Sequence, residues 1–227
     1  FPYMDNYNYH KGMNVIIQEL KDLLKTKSIG TDSDRALLLD FQAALETQPE
    51  KAIKLEKNAL AQIENITADN ARLVSNLHAN LGGLYRMNGH PDLAREHMEK
   101  SISLLDQFNL LHINDSIPQI ANYAMFLTEQ QEPERGISEL QKLSGIIKEY
   151  HSDDCLDYAK VQETLGTIYL MTANLPQAKT HFKRAFKIYE KIWADEPEMI
   201  EAKYQEIQEL YPQIGFSIGK TLSGLLT

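Results

Sequence analysis

The sequence predicts an all-α fold in which helical hairpins follow one another in an array. Two series of mostly small residues recur at a constant step of 42 residues: Asp40, Gly82, Ala124 and Gly166, and Ala52, Ala94, Gly136 and Ala178. Prolines keep the same step at Pro49, Pro91 and Pro133, and Pro176 misses it by one residue. A constant step of this length indicates repetition of one supersecondary unit. The sequence contains no alternating run long enough for a β-sheet.

Each repeat contains two amphipathic helices. The second helix shows apolar or small residues at i, i+4, i+7 and i+11, as in Ala178, Phe182, Ala185 and Tyr189. The first helix carries a similar stripe through Gly166 and Tyr169, and it ends before a short break at residues 172–175. Two helices separated by a short break form a hairpin.

Prolines and capping residues predict where the helices begin. A proline is tolerated in the first helical turn, so Pro49, Pro91, Pro133 and Pro176 are expected to open the second helices. The residues directly before them are poor N-caps: Gln48, His90, Glu132 and Leu175. First helices are expected after short polar segments whose side-chain oxygens accept first-turn N–H groups. These segments are 32–33, 67–69, 116–118, 152–153 and 195–197.

Two segments resemble the tetratricopeptide repeat. LGGLYRMNGHPDLA at 81–94 and LGTIYLMTANLPQA at 165–178 share Leu-Gly, then Tyr, then a turn, then Ala. That repeat is usually about 34 residues long, and the 42-residue step resembles the lengthened repeats of kinesin light chains. The resemblance implies a right-handed α-solenoid, a superhelix of antiparallel helical hairpins with about 4.5 repeats and capping helices at the ends.

The resemblance is weaker in the first and third repeats. Asp40 and Glu56 replace a glycine and a large apolar residue in the first repeat. In the third repeat Ala124, Leu127 and Gly136 replace glycine, tyrosine and alanine. These departures concern the packing of both hairpins and leave the number of repeats unchanged. Elsewhere Gly82 and Gly166, opposite Ala94 and Ala178, mark the expected close crossings.

The repeat register predicts three parts of the chain. Residues 1–30 form an N-terminal segment with a capping helix, and residues 212–227 form a C-terminal capping helix. The array between them covers 31–211, with units at about 31–66, 67–108, 115–150 and 153–193 and a half unit at 196–211.

Composition and motifs favour no enzymatic function. The net charge of −9 argues against nucleic acid as a partner, and the single Cys155 excludes a disulfide framework and fits a cytoplasmic protein. The seven histidines form no metal-binding motif, and GFSIGKT at 215–221 has one residue too few between its glycines for a phosphate loop. We therefore expect no catalytic residues, no metal and no cofactor. No apolar run reaches the roughly 20 residues that span a bilayer, so no membrane contact is expected.

The resemblance places ligands in a concave groove lined by the first helices. Carrying the groove positions onto this sequence gives these candidates: Asn76, Asn80, Arg86, Met87, Asn122, Met125, Lys160, Thr164 and Met171. Asn80 and Asn122 occupy equivalent positions, where an amide can donate to and accept from a peptide backbone. The same amides could equally bond neighbouring helices, and both interpretations stay open.

Two functions follow from this resemblance. The first is a non-enzymatic interaction module, a monomer or homodimer that binds a peptide or helix of a protein partner in its groove. The second is the peptide-sensing regulatory domain of a larger bacterial regulator whose effector domain is absent from this chain. The chain begins without an initiator methionine, which suggests that it is a piece of a longer protein.

Overall fold

The computed structural model describes residues 12, 15–19, 22, 30–114, 116–210 and 212. All regular structure in these residues is helical, which confirms the predicted all-α class. The chain divides into two compact bodies, residues 1–110 and residues 111–227. Each body is described below by itself.

The N-terminal body contains two helical hairpins. Its helices are α1 (Asp32–Ala44), α2 (Pro49–Leu60), α3 (Ala71–Met87) and α4 (Pro91–Gln107). Helix α1 packs against α2 and α3, and α3 packs most extensively against α4. The buried side chains of Ala36, Ala59 and Leu77 join the first three helices in one core cluster.

The C-terminal body continues the same pattern. Its helices are α5 (Ser116–Glu129), α6 (Pro133–Tyr150), α7 (Leu156–Met171), α8 (Leu175–Ile192) and α9 (Pro197–Leu210). The hairpins are α5–α6 and α7–α8, and α5 also packs against α7. Helix α9 packs on α8, where Ile207 joins the buried side chains of Ala178, Phe182 and Phe186.

The second helices keep the repeat step at their N-caps. The N-caps are Gln48, His90, Glu132 and Asn174, each 42 residues after the last. Pro49, Pro91 and Pro133 open their helices as predicted. The prediction that Pro176 opens the fourth of these helices was wrong: Leu175 is the first residue of α8, and Pro176 is the second. Asn174 is the N-cap, and its side chain accepts a hydrogen bond from Gln177 N at 3.4 Å. Pro176 is displaced by one residue from the 42-residue step, whereas the N-cap of its helix keeps that step.

A left-handed residue precedes each of the last three of these N-caps. Gly89, Gln131 and Ala173 have φ values of 74°, 64° and 59°, again at the 42-residue step. The next amide in each case donates back to the first helix, as Asn174 N does to Tyr169 O at 2.7 Å. This geometry closes a helix with a tight C-terminal turn, so the hairpin turn is a repeated structure even where its sequence is not.

The first helices begin near the predicted segments with different caps. Thr31 caps α1, accepting from Asp34 N, and Asp34 in turn accepts from Thr31 N. Segment 152–153 was expected to cap α7, but Cys155 does so: its Sγ accepts from Tyr158 N at 3.4 Å. Ser116 was also expected to accept, but it is the first residue of α5 and donates to the carbonyl of Leu111.

In three of the four described hairpins the two helices cross at a glycine. A Cβ on Gly82 would lie 2.5 Å from Met98 Cγ, and one on Gly166 would lie 3.0 Å from the Phe182 ring. In the third repeat the glycine lies on the second helix and the alanine on the first, the reverse of the other two repeats. A Cβ on Gly136 would lie 2.6 Å from Ala124 O. The third hairpin therefore crosses as closely as the second and the fourth.

The two predicted capping helices lie mainly outside the described residues. Of the N-terminal one, residues 12, 15–19 and 22 are described, and all are helical. Of the C-terminal one, predicted at 212–227, only Pro212 is described, and it is helical. The GFSIGKT segment lies outside the described residues.

Candidate functional site

The first helices of successive hairpins lie side by side within each body. Helix α1 contacts α3 in the N-terminal body, and α5 contacts α7 in the C-terminal body. The predicted groove residues divide accordingly: Asn76, Asn80, Arg86 and Met87 on α3, Asn122 and Met125 on α5, and Lys160, Thr164 and Met171 on α7. Each body is thus assessed as a separate candidate face.

Asn80 is engaged within the protein. Its Nδ2 donates to Asp40 Oδ1 at 2.9 Å and to Glu56 Oε1 at 3.2 Å. The amide therefore joins α3 to both helices of the first hairpin. Sequence reasoning singled out Asp40 and Glu56 only as departures from the repeat, because their common partner lies on another helix.

The other candidates on α3 are less uniform. Asn76 and Arg86 are half-buried and each interacts with other residues of the protein. Met87 is the last residue of α3, and it is 76% exposed. Only Met87 of this set is a largely exposed apolar side chain.

Helix α5 provides the least charged of the candidate surfaces. Glu129, at its C-terminal end, is its one charged residue. Asn122 is exposed, and its amide forms no hydrogen bond within the described part of the chain. Met125, one turn further on, is half-buried. This amide differs from that of Asn80 in being available for a ligand.

Helix α7 adds polar and apolar groups beside α5. Lys160 is exposed, and its Nζ lies 3.9 Å from Asp157 Oδ1. Thr164 is half-buried and its hydroxyl donates to the Lys160 carbonyl at 3.0 Å. Met171, the last residue of α7, is 47% exposed. The accessible groups of this helix are thus a loosely paired lysine and a methionine.

Glu163 belongs to a network that sequence reasoning missed. Tyr189 Oη donates to Glu163 Oε2 at 2.6 Å, and Lys203 Nζ lies 2.8 Å from Glu163 Oε1. Burial and the Glu163 carboxylate both raise the pKa of Tyr189. Burial alone would lower the pKa of Lys203, but Glu163 and then Glu206 hold it above its ordinary value. The network fastens α9 to α7 and α8, and no repeat position signalled it.

Two hairpins contain matching polar pairs between their helices. His78 Nδ1 lies 2.9 Å from His97 Nδ1, and two periods later His181 Nδ1 lies 2.9 Å from Gln162 Oε1. Burial, then the neighbouring His97, lowers the pKa of His78 to about 4. The equivalent amide at Gln162 shows that the position serves hydrogen bonding between helices.

The described residues contain neither a candidate metal cluster nor a candidate membrane-spanning helix. No group of three or more His, Cys, Asp or Glu in them could hold a metal ion. None of their helices combines the length and apolarity required for a membrane span. An open cleft of about 460 Å³ lies between α6 and the end of α7. Its lining includes Glu134, Ser138 and Tyr169.

Part of the C-terminal body matches a known protein family. Residues 116–191, which span α5 to α8, match the family model described as Tetratricopeptide repeat. This segment is a tetratricopeptide repeat region. The resemblance predicted from LGTIYLMTANLPQA is thereby confirmed. No curated protein is a significant match to the sequence.

Several solved structures share the fold, and the description of one of them names TPR-like repeats. BtubC (BKLC) from P. vanneervenii is 19% identical with a TM-score of 0.65, over 80% of this chain and 72% of that one. A Podosopora anserina protein, described as a kinesin light chain with nearly identical TPR-like repeats, is 13% identical with a TM-score of 0.63, over 82% and 92%. MamA is 15% identical with a TM-score of 0.54, over 83% and 97%. At these identities the similarity concerns the fold, and the predicted solenoid class is confirmed.

The tetratricopeptide repeat indicates the general class of function. Proteins with this repeat are generally non-enzymatic scaffolds that bind other proteins. The fold therefore suggests a protein-protein interaction scaffold.

Proposed function

We propose that the paired first helices α5 and α7 bind an extended peptide segment of a protein partner. The observation that carries this proposal is the exposed Asn122 amide, which has no hydrogen bond within the described residues and lies on a nearly uncharged helix beside α7. An amide in this position can donate to a peptide carbonyl and accept from a peptide N–H. Asn122 would thus fix the backbone of the ligand.

The apolar part of the recognition comes from methionine. Met125 lies one turn from Asn122, and Met171 ends the neighbouring α7 with almost half of its surface exposed. Methionine side chains are flexible and polarizable, and they adapt to different apolar partners. We therefore expect a ligand with apolar side chains flanking the backbone segment that Asn122 contacts.

Charge contributes little to this face. The charged groups of α7 are matched locally, since Asp157 lies near Lys160 and Glu163 is bound to Lys203. Exposed charges are screened by salt, whereas hydrogen bonds and apolar contacts are much less affected. Binding is expected to change little between low and physiological ionic strength.

A displayed library of random peptides tests this function directly. The chain is immobilised, peptides are selected, and their affinities for the chain and its variants are measured by fluorescence polarisation. Asn122→Ala is expected to weaken binding about fivefold or more, since one or two hydrogen bonds are worth about 1 kcal/mol each. Met171→Ala is expected to weaken it as well.

Gln177→Ala is the matched control. Gln177 is also an exposed amide, but it lies on the second helix α8, away from the α5–α7 face. The variant Gln177→Ala should leave the affinity for the selected peptides unchanged. Peptides that bind Asn122→Ala and wild type equally would exclude this face, and a selection that yields no binding peptide would exclude peptide recognition altogether.

A further inference from the structure

The first hairpin carries two carboxylates where the other hairpins carry none. Positions 40 and 56 correspond to the residues that meet at the close crossings of the other repeats. In those repeats the two positions hold Gly82 and Met98, Ala124 and Leu140, and Gly166 and Phe182. Contacts of Gly82 with Met98 and of Gly166 with Phe182 show that the two positions face each other. In the first hairpin they hold Asp40 and Glu56.

One amide connects the two carboxylates. Asn80 Nδ2 is 2.9 Å from Asp40 Oδ1 and 3.2 Å from Glu56 Oε1, so these oxygens lie within about 6 Å of each other. Glu56 is only 2% exposed, and its Oε2 has no hydrogen-bond partner. An ionised carboxylate in this position would be buried with half of its acceptor capacity unused.

The surrounding charges do not compensate the pair. The groups that act on the Glu56 carboxyl are Asp40 from α1 and Asn80 from α3, and neither is a cation. Lys57, the neighbour of Glu56 on α2, lies over the Tyr85 ring at 5.5 Å. Burial first, and then the charge of Asp40, raises the pKa of Glu56 to about 9. Burial also raises the pKa of Asp40.

We propose that Asp40 and Glu56 bind one proton between them, and that its loss with rising pH loosens the packing of α1 and α2 against α3. Two carboxylates that share a buried site cannot both ionise without a large penalty. The pair thus forms a pH-sensitive joint in the N-terminal body.

The direction of the effect follows from linkage. The Glu56 pKa is higher in the folded state than in the unfolded chain, so the folded state holds more protons at intermediate pH. The stabilisation that the bound proton gives to the folded state is complete below the pKa of Glu56 in the unfolded chain, near 4.5. It is lost as the pH rises towards about 9. For one proton, the equilibrium constant for opening rises about tenfold per pH unit.

Hydrogen exchange of the full chain, followed by mass spectrometry, measures this opening. Protection of α1, α2 and α3 is compared from about pH 6 to about pH 8.5, after correction for the intrinsic exchange rate, to obtain the slope expected from linkage. Helices α7 and α8 serve as the internal reference. We expect the protection of α1, α2 and α3 to fall as the pH rises. The fall should exceed that of the reference helices by about tenfold per pH unit.

Three variants separate the pair from other causes. Glu56→Gln and Asp40→Asn each remove one carboxylate while keeping its shape. Glu56→Gln should abolish the extra slope, and Asp40→Asn should reduce it, because burial still raises the pKa of Glu56. Glu50→Gln changes an exposed carboxylate on the same helix, and it should retain the slope. An unchanged slope in either of the first two variants, or an equal slope in α7 and α8, would overturn the proposal. If Glu56→Gln does not fold, Asp40→Asn alone decides the question.

Discussion

Gly89, Gln131 and Ala173 occupy one backbone conformation with three different side chains. All have positive φ, in the turn that ends the first helix of a hairpin. A glycine adopts this conformation without cost, whereas a residue with a Cβ is strained by about 1–2 kcal/mol. Two of the three turns therefore hold a residue that is not the most stable choice for its backbone.

We expect Ala173→Gly to stabilise the protein by up to about 1 kcal/mol, because relief of strain exceeds the added entropy of the unfolded chain. Gly89→Ala should destabilise it by about 1 kcal/mol for the opposite reason. Urea unfolding monitored by circular dichroism measures both. Equal stability of Ala173→Gly and wild type would show that the turn tolerates the alanine without strain.

Ala178 illustrates how a small side chain is required at a close crossing. It is fully buried, in a cluster with Phe182, Phe186 and Ile207. Substitution by leucine would insert three carbons into a filled space. We expect Ala178→Leu to lower the free energy of unfolding by about 1–3 kcal/mol through overpacking.

The control for this prediction is Gln177→Leu. Gln177 is the neighbouring residue on the same helix, and it is exposed, so the added apolar side chain meets solvent. Its stability should change by less than about 0.5 kcal/mol. A loss in Gln177→Leu as large as that in Ala178→Leu would contradict the overpacking explanation.

At the scale of helices, the polar pairs between first and second helices decide the response to acid. His78 and His97 lie between α3 and α4, and burial lowers the pKa of both. A buried imidazole that resists protonation binds fewer protons in the folded state than in the unfolded chain. The stability that the neutral His78 imidazole contributes is complete above the pKa of the unfolded chain, about 6.5. It is lost as the pH falls towards about 4.

We expect His78→Gln to reduce the loss of stability between about pH 6.5 and about pH 4. Glutamine occupies the equivalent position at Gln162, where it accepts a hydrogen bond from His181 in its Nδ1-protonated form. Urea unfolding at several pH values measures the difference from wild type. His90→Gln is the control, because His90 is exposed and the equivalent N-cap of α2 is Gln48. A pH profile of His78→Gln that matches wild type would rule out this histidine as a source of acid sensitivity.

At the scale of the whole molecule, the 42-residue register allows residues to be exchanged between hairpins. The double variant Asp40→Gly/Glu56→Met gives the first hairpin the residues of the second, Gly82 and Met98. Replacing buried charged groups by packed apolar ones often stabilises a protein by about 1–4 kcal/mol, and a glycine within a helix costs about 1 kcal/mol.

We expect this double variant to be more stable than wild type by up to about 3 kcal/mol near neutral pH. The gain should shrink at acidic pH, because the carboxylates are then protonated in the unfolded wild-type chain as well and folding no longer has to take up a proton. Urea unfolding at the two pH values measures it. A gain that does not depend on pH would indicate that packing alone, and not the carboxylate charge, distinguishes the two hairpins.

The positions of the helices were largely predictable from the sequence, because they depend on local interactions. Prolines fit only the first helical turn, so Pro49, Pro91 and Pro133 located three helix starts within one residue. The start of α8 was predicted one residue too late, at Pro176, because a proline also fits the second position of a helix. The exchange of Gly136 and Ala124 was harder to interpret, since a close crossing needs one small residue and either helix can supply it.

The candidate site was predictable only in part. The register placed Asn80 and Asn122 at equivalent positions, but the structure gives their amides different surroundings. Asn80 donates to Asp40, 40 residues away in sequence, while Asn122 has no such partner within the described residues. Equivalent sequence positions share a backbone location, and they do not share neighbours.

The sequence by itself determined the repeat, most of the helix starts and the small residues at three of the four crossings, because each depends on the backbone of one hairpin. Only the tertiary structure decided which polar groups pair, as Glu163 does with Tyr189 and Lys203. These pairs join helices that are separate in sequence and brought together by packing. Their hydrogen bonds depend on the direction and burial of each side chain, and a spacing along the chain contains neither.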